Sequence, residues 1–267
     1  MKKITPLYLL SLVALAFIAC GSQEKTAKAK GIEFDSIVID STYHLIKGKE
    51  YPSCHLKLNF QYAKGEKADE INHLILHSGI INPELATTAQ KLDVKQVLDS
   101  FVTCFFNDYK TDYGVILKEE PDSPGLNYAM EINTTTKNGR EGIVTYLADI
   151  YYFAGGAHGI SHTLARNIDV NERKIVTLGD LFIENHEKQL HELIVKEMTR
   201  KFNCKTLAEL QEKEFVFADA NVYAPENFIL NKNNITFIYC DSEIAPHAAG
   251  EIRIEIDYDD LRDILKK

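Results

Sequence analysis

The sequence predicts an α+β fold in which mainly antiparallel sheets pack with helices. Several stretches of the 267-residue chain alternate strictly between apolar and polar residues, as half-buried strands do. Short turn signals separate neighbouring alternating stretches, which is typical of hairpins. Segments with an apolar residue every three or four positions form helices between the groups of strands. Strands and helices that are segregated in this way indicate α+β rather than a regular βαβ order.

The first predicted elements are two strands and a helix. Residues 32–46 and 51–63 alternate, and Lys47-Gly48-Lys49 between them forms a turn. We therefore expect two paired antiparallel strands. Residues 67–78 carry apolar side chains at helical spacing and predict a short helix.

A longer helix and a second hairpin follow. Pro83 suits the first turn of a helix that ends near Gly114. Residues 126–136 and 141–154 alternate on either side of Asn138-Gly139, a strong signal for a tight hairpin turn. The remaining predicted elements are a strand, a helix, two hairpin strands, a strand and a closing helix, at residues 161–170, 180–203, 227–231, 234–240, 251–257 and 258–267.

Composition indicates a folded, acidic protein. The chain has 30 Lys and Arg against 39 Asp and Glu, a net charge of −9, and 45% hydrophobic residues. Thirteen Tyr and thirteen Phe supply a core, so wholesale disorder is excluded. The acidic balance argues against nucleic-acid binding, because phosphate recognition needs a basic surface. No cofactor is predicted.

The N-terminus predicts a lipid-anchored protein. Lys2 and Lys3 precede an apolar run that is too short to span a bilayer and is typical of a signal peptide. Phe17-Ile18-Ala19-Cys20-Gly21 resembles a bacterial lipobox, with Phe17 where Leu is usual. We therefore expect residues 1–19 to be removed and Cys20 to carry lipid. The alternative is an ordinary secretory signal in which this cysteine is incidental.

The signal peptide and the lipobox-like sequence determine the expected location of the protein and the redox conditions that its cysteines meet. Residues 20–31 form a polar, Lys-rich tether, and the chain after it lies in the bacterial cell envelope, on the periplasmic or outer-surface side, with the outer membrane expected. Without Lys2 and Lys3 the 30 basic residues become 28, and the charge is −11. The cysteines expected to lie outside the cytoplasm either pair or remain buried thiols, and both readings stay open for Cys54, Cys104, Cys204 and Cys240.

The most unusual local sequence is a glycine-rich loop, Gly155-Gly156-Ala157-His158-Gly159, which follows a predicted strand. Such a loop indicates tight turning or close backbone approach. His158 suits a general base, a metal ligand or a structural hydrogen-bonding role. His158 and His162, like His73 and His77, are four residues apart, but neither pair has a third ligand in sequence, so no metal site is predicted.

Two segments together resemble a known family. Residues 151–182 contain Y-Y-F-A-G-G-A-H-G and a later D-L-F turn, and residues 235–262 contain E-I-A-P-H-A-A-G before an alternating strand. They resemble the C-terminal extracellular domain shared by the anti-sigma factor RsiV and the peptidoglycan deacetylase PdaC. Residues 32–115 resemble the companion N-terminal domain more loosely. The resemblance implies two α+β domains, at residues 32–120 and 121–267, that form a two-part ectodomain after the lipoprotein signal peptide.

The resemblance also implies residues for a binding site or loop motif. Those that match the family's two motifs are Gly155, Gly156, Ala157, His158, Glu243, Pro246 and Gly250, with His247 where the family often has an aromatic residue. Neither anti-sigma activity nor deacetylation is expected, because these depend on other segments of those proteins. No catalytic residue is predicted.

The expected function is a non-catalytic cell-envelope lipoprotein, held at the membrane by its N-terminal lipid. It binds or senses a lysozyme-like protein or a peptidoglycan-like glycan. The alternative is a hydrolase of cell-wall glycan or peptide that uses His158 with carboxylates or a metal. A third reading is a structural subunit of an envelope complex.

Overall fold

The computed structural model of the protein describes residues 32–81, 93–217 and 222–267, and two sheets organise this part of the chain. It confirms the predicted α+β class, with antiparallel pairing at every strand junction of the described residues except one. The larger sheet contains β1 (Ile32–His44), β2 (Ser53–Gly65), β3 (Tyr128–Asn138), β4 (Ile143–Phe153), β5 (Ile160–Asp169) and β6 (Lys174–Ile175), in that spatial order.

The exception is the parallel pairing of β2 with β3. Two helices make the crossover between these strands, α1 (Ala68–Leu76) and α2 (Val94–Glu119). The expected domain division at residues 120 and 121 falls within this connection, and the sheet continues across it. The two-domain division stays a prediction.

Both crossover helices cover one face of the larger sheet. Leu98 of α2 and Ile71 of α1 pack with Leu58 and Ile150 of the sheet in one apolar core. The Asp93 carboxylate accepts hydrogen bonds from the first backbone N–H groups of α2 and caps it. The predicted helix start at Pro83 lies outside the described residues.

The long helix ends five residues beyond the predicted end near Gly114. A single glycine inside a helix costs about 1 kcal/mol relative to alanine, which a 26-residue helix tolerates. The helix stops at Glu119, before Pro121, because a proline disfavours the helical conformation of the residue preceding it.

The second sheet and its helices form the C-terminal layers. The sheet consists of β7 (Phe228–Leu230), β8 (Asn234–Tyr239) and β9 (Ile252–Asp257), and its helices are α3 (Leu178–Leu181), α4 (Glu187–Lys201), α5 (Leu207–Glu212) and α6 (Tyr258–Leu261). Leu190, Ile194 and Met198 of α4 pack against one face of this sheet.

The helix predicted within residues 180–203 is α4, and the short helix α3, which was not predicted, precedes it. Thr177 and Asp180 form a capping box at the start of α3, which is only four residues long. Asn185 then adopts a positive φ of 62° in the segment between α3 and α4. The elements β6 and α5 were also not predicted, and the closing helix, predicted at residues 258–267, ends at Leu261. These elements are short, so their periodicity is weak.

The two sheets face each other across a small apolar contact of Leu147, Ala165, Ile229 and Ile238. The layers are therefore helix, larger sheet, smaller sheet and helix. This contact covers only part of the larger sheet, and the rest of that face stays open.

The four cysteines outside the N-terminal segment are free thiols, Cys54, Cys104, Cys204 and Cys240. Burial raises the pKa of the Cys54 thiol to about 12, which keeps it protonated and unreactive. Across residues 32–81, 93–217 and 222–267, no helix combines the length and apolar character needed to cross a bilayer.

Candidate functional site

A cleft of about 530 Å³ opens on the uncovered face of the larger sheet. Strands β3, β4 and β5 form its floor, and the segment that leads into β9 forms one wall. Its lining combines carboxylates, hydroxyls, an amide and a tyrosine, contributed by Glu131, Asn133, Asp149, Ile150, Tyr151, Ser161, His162, Thr163, Asp241, Gly250 and Glu251.

The strand register aligns the floor residues in two rows that cross the sheet. One row places Glu131 directly opposite Tyr151, which is opposite Ser161, and the other runs from Asn133 to Asp149 to Thr163. Both rows continue beyond the cleft onto β2 and β1, through Lys57 and Asp40 in the first and Asn59 and Val38 in the second. The rows point away from α1 and α2, because the intervening residues of these strands are buried in the helix-side core.

Neighbouring side chains within the second row are already connected. The Asn59 amide donates to the Asn133 side-chain oxygen at 2.8 Å, and the Thr163 hydroxyl donates to Asp149 Oδ1 at 2.9 Å. These contacts hold the amide and carboxylate groups in fixed orientations, which reduces the entropy lost when a ligand binds.

Glu251 fixes the wall of the cleft to its floor. Its Oε2 accepts the backbone N–H of Thr163 at 2.7 Å, and its Oε1 accepts Arg253 Nε at 2.7 Å. Arg253 also donates to the Thr163 hydroxyl at 3.2 Å. The Glu251 carboxylate therefore binds the backbone at the free edge of β5. Together with Arg253 it forms a charged network that reaches Asp149 through the Thr163 hydroxyl.

The segment between β8 and β9 is held by its own polar contacts. Asp241, whose side chain is 7% exposed, contacts His247 Nδ1 at 2.7 Å. Glu243 accepts the backbone N–H of Cys240 at 2.7 Å and the Tyr223 hydroxyl. Gly250 adopts φ 63° and ψ −156°, a region that is essentially restricted to glycine, and it turns the chain into β9.

The glycine-rich loop borders the cleft and positions one of its residues. A Cβ on Gly159 would lie 2.2 Å from Cε2 of the Tyr151 ring, so the absence of a side chain leaves room for that ring. Gly155 has a φ of 66° and packs against the turn at Gly125. Close packing therefore explains why glycine occupies both positions.

The two motifs singled out in the sequence come together in space. His158 and His247 are exposed and stack with ring centroids 6.2 Å apart. Of the expected site residues, Gly250 lines the cleft, while Gly155, Gly156, Ala157, His158, Glu243, Pro246 and His247 lie outside its lining. The lipidated position, Cys20, lies outside the described residues.

His162 is the histidine in the cleft lining. Its ring stacks on Tyr152 with centroids 5.5 Å apart, and burial lowers its pKa against the opposing effect of Glu251 and Asp241. Among the residues that the structure describes, no group of three His, Cys, Asp or Glu side chains is arranged to hold a metal ion.

Sequence reasoning missed the polar residues of the floor. Glu131, Asn133, Asp149 and Tyr151 alternate with buried isoleucines, which is the ordinary pattern of a strand with one solvated face. The signal that they form a site is their alignment across β3 and β4, which is visible only once the register of that hairpin is known, and the parallel pairing of β2 with β3 extends the rows beyond the cleft.

Comparisons with known proteins identify the C-terminal part of the chain. Residues 179–259 match the family described as "Protein of unknown function (DUF3298)". No curated protein matches the chain. The glycine-rich loop lies before the matched region, and the segment from Asp241 to Glu251 lies within it.

Solved structures extend the likeness over most of the chain. A DUF3298 member from Bacteroides fragilis is 26% identical with a TM-score of 0.75, over 90% of this chain and 96% of that one. A DUF3298 protein from Pseudomonas aeruginosa PAO1 shares the fold at 15% identity and a TM-score of 0.57, over 88% and 95% of the two chains. Residues 179–259 are thus similar to the DUF3298 family of unknown function, and the fold is similar to those of two of its solved members.

Proposed function

We propose that the protein is a non-catalytic lipoprotein of the bacterial cell envelope that binds a cell-wall glycan strand across its larger sheet. The lipobox-like sequence that ends at Cys20 supports the envelope location. The two rows of side chains that cross the sheet and enter the cleft, all polar except Val38 on β1, are the observation that carries the glycan assignment.

The side chains of the rows have the chemistry that sugars require. Asn133 and Asp149 each present a planar group with two polar atoms, which matches the spacing of neighbouring hydroxyls on a sugar ring. Tyr151 adds an aromatic ring with a polar tip, suited to a ligand with both apolar and hydroxylated faces. N-acetylglucosamine units are neutral and rich in hydroxyls, so directional hydrogen bonds select them.

The dimensions suit a chain rather than a single sugar. The rows cross five strands from β1 to β5, and adjacent strands lie about 4.8 Å apart, so each row extends for about 19 Å. A ligand that runs across the strands meets a side chain from every strand. The cleft at the β3–β5 end encloses one end of this path.

Hydrogen bonding in the cleft favours binding over catalysis. Glycoside hydrolysis needs a protonated carboxyl as general acid. Both oxygens of Glu251 accept hydrogen bonds, and Asp149 accepts the Thr163 hydroxyl, so these groups act as acceptors. His158, on which the hydrolase alternative depends, lies outside the cleft lining.

A lysozyme-like protein is the second candidate, favoured by charge. The cleft is lined by four carboxylates, those of Glu131, Asp149, Asp241 and Glu251, and the chain carries a net charge of −9. Such a surface attracts a cationic protein over long range and speeds its association.

Calorimetry at two salt concentrations separates the candidates. We expect a hexamer of N-acetylglucosamine to bind with an affinity that changes less than twofold between 50 and about 300 mM salt, because a neutral ligand is little affected by screening. Lysozyme binding would instead weaken steeply over that range. Lysozyme binding alone would replace the glycan assignment, and release of new reducing ends from the hexamer would contradict the non-catalytic one.

A further inference from the structure

We propose that His73 and His77 form a two-histidine site for a divalent transition-metal cation on the exposed side of α1. His73 lies in the last turn of α1, and His77 is the C-cap residue four positions later whose backbone N–H donates to the His73 carbonyl, so the two side chains lie on the same side of the helix. Both side chains are exposed, and their ring centroids are 4.1 Å apart with the planes tilted by 36°. Two imidazole nitrogens that each lie about 2.0–2.1 Å from one ion are separated by at most about 4 Å. The centroid distance places both rings within reach of a single ion, which the ring nitrogens bind after a change in side-chain torsion.

A backbone hydrogen bond sets the tautomer of the His77 ring. Its Nδ1 lies 2.8 Å from the carbonyl oxygen of His73, and a carbonyl only accepts, so Nδ1 carries the proton. Nε2 then has the lone pair that binds a metal. Metal-binding histidines usually donate their other ring N–H to a carbonyl or carboxylate, and this contact orients the ring and increases the basicity of the ligating nitrogen.

The helix that carries the pair is held rigidly. Ile71 and Ile75 are buried in the core beneath α1. Between them, the Asn72 side chain accepts the backbone N–H of Ala63 at 2.7 Å and donates to the Ala63 carbonyl at 2.9 Å, which ties α1 to β2. A site on a fixed helix loses little conformational freedom when it binds an ion.

The ligand set defines the class of ion. Two neutral imidazoles suit Cu²⁺, Ni²⁺ and Zn²⁺ rather than Mg²⁺ or Ca²⁺, which prefer oxygen ligands. Since no third protein ligand completes a site in the described part of the chain, water fills the other positions. Of these three ions, Cu²⁺ is expected to bind most tightly.

Titration of the full chain with NiCl2, followed by calorimetry at pH 7.5, tests the site. Nickel avoids the thiol oxidation that Cu²⁺ promotes. We expect one ion per chain and at least tenfold weaker binding in both His73→Gln and His77→Gln. Bound nickel should also raise the melting temperature of the wild-type chain and not that of the variants.

His186→Gln is the matched control. His186 is half-buried, and its Nδ1 makes a similar contact with the Ile183 carbonyl at 2.8 Å, but no histidine lies three or four residues away. This variant should bind nickel as the wild type does. Unchanged nickel affinity in both His73→Gln and His77→Gln, or no binding by the wild type at millimolar nickel, would overturn the proposal.

Discussion

Gly155 packs directly on Gly125, and a Cβ at Gly155 would lie 2.3 Å from the Gly125 Cα and 2.5 Å from the Pro124 carbonyl oxygen. Backbone cannot move away as the end of a flexible side chain can. The contact joins the glycine-rich loop after β4 to the turn before β3. It therefore explains one of the most unusual features of the sequence by packing.

Gly155→Ala should be strongly destabilising. The substitution adds a backbone clash to the cost of a side chain at φ 66°, and we expect a loss of about 2–4 kcal/mol in the free energy of unfolding. Denaturant unfolding measures it. Gly114→Ala is the control, since Gly114 lies in α2 with open space around it, and the alanine should stabilise by about 0.5–1 kcal/mol. A Gly155→Ala variant as stable as the wild type would refute the packing explanation.

Asn167 should be needed to join the two sheets. It is 2% exposed, its amide donates to the Phe228 carbonyl at 2.7 Å, and its oxygen accepts the Leu230 N–H at 3.1 Å and the Thr145 hydroxyl at 2.9 Å. Asn167→Ala leaves buried polar groups without partners and should cost about 2–3 kcal/mol.

Chemical denaturation of Asn167→Ala checks this value against Asn107→Ala, an exposed position on α2 that should change stability by less than about 0.5 kcal/mol. Equal stability of the two variants would show that the side chain does not join the sheets.

Asp180 should contribute to stability in acid. Hydrogen bonds from Thr177, followed by the contact with Lys174, lower the pKa of Asp180 to about 2. The folded pKa lies below the unfolded value of about 3.9, so this stabilisation is fully present above about pH 4 and is lost as the pH falls towards 2.

Unfolding free energies measured from pH 6 to pH 2 test this contribution. Asp180→Asn should lose about 1 kcal/mol at neutral pH, because the capping box is broken, and the difference from wild type should shrink as the pH falls. Asp259→Asn, at a carboxylate whose side chain is 94% exposed, should follow the wild type throughout. A constant difference for Asp180→Asn at all pH values would contradict the low pKa.

Much of the fold could be predicted from sequence because its hairpins are local. β1 with β2 and β3 with β4 were predicted from alternation and short turn signals. The parallel pairing of β2 with β3 could not be predicted, since parallel strands are joined by long crossovers that leave no register signal. The extension of the rows beyond the cleft depends on that pairing, so Glu131 and Asn133 could not be linked to Lys57 and Asn59 in advance.

The thiols should differ sharply in reactivity. Cys104 is exposed on α2, Cys54 is fully buried, and burial raises the pKa of Cys240 to about 11. A thiol reagent at pH 7.5 should therefore modify Cys104 within minutes and leave Cys54 unmodified until the chain unfolds. Peptide mass spectrometry under non-reducing conditions reads out each site, and a disulfide between any of these cysteines would contradict the free-thiol state.

Glycan binding along the rows is the central claim, and calorimetry with N-acetylglucosamine oligomers on the wild type and Asn133→Ala tests it most directly. Affinity should rise at least tenfold from dimer to tetramer and little beyond, because the rows extend for about 19 Å. Asn133→Ala should weaken tetramer binding about tenfold, whereas Asn107→Ala should not. Equal affinity of wild type and Asn133→Ala, or no heat with any oligomer at millimolar concentration, would contradict the account.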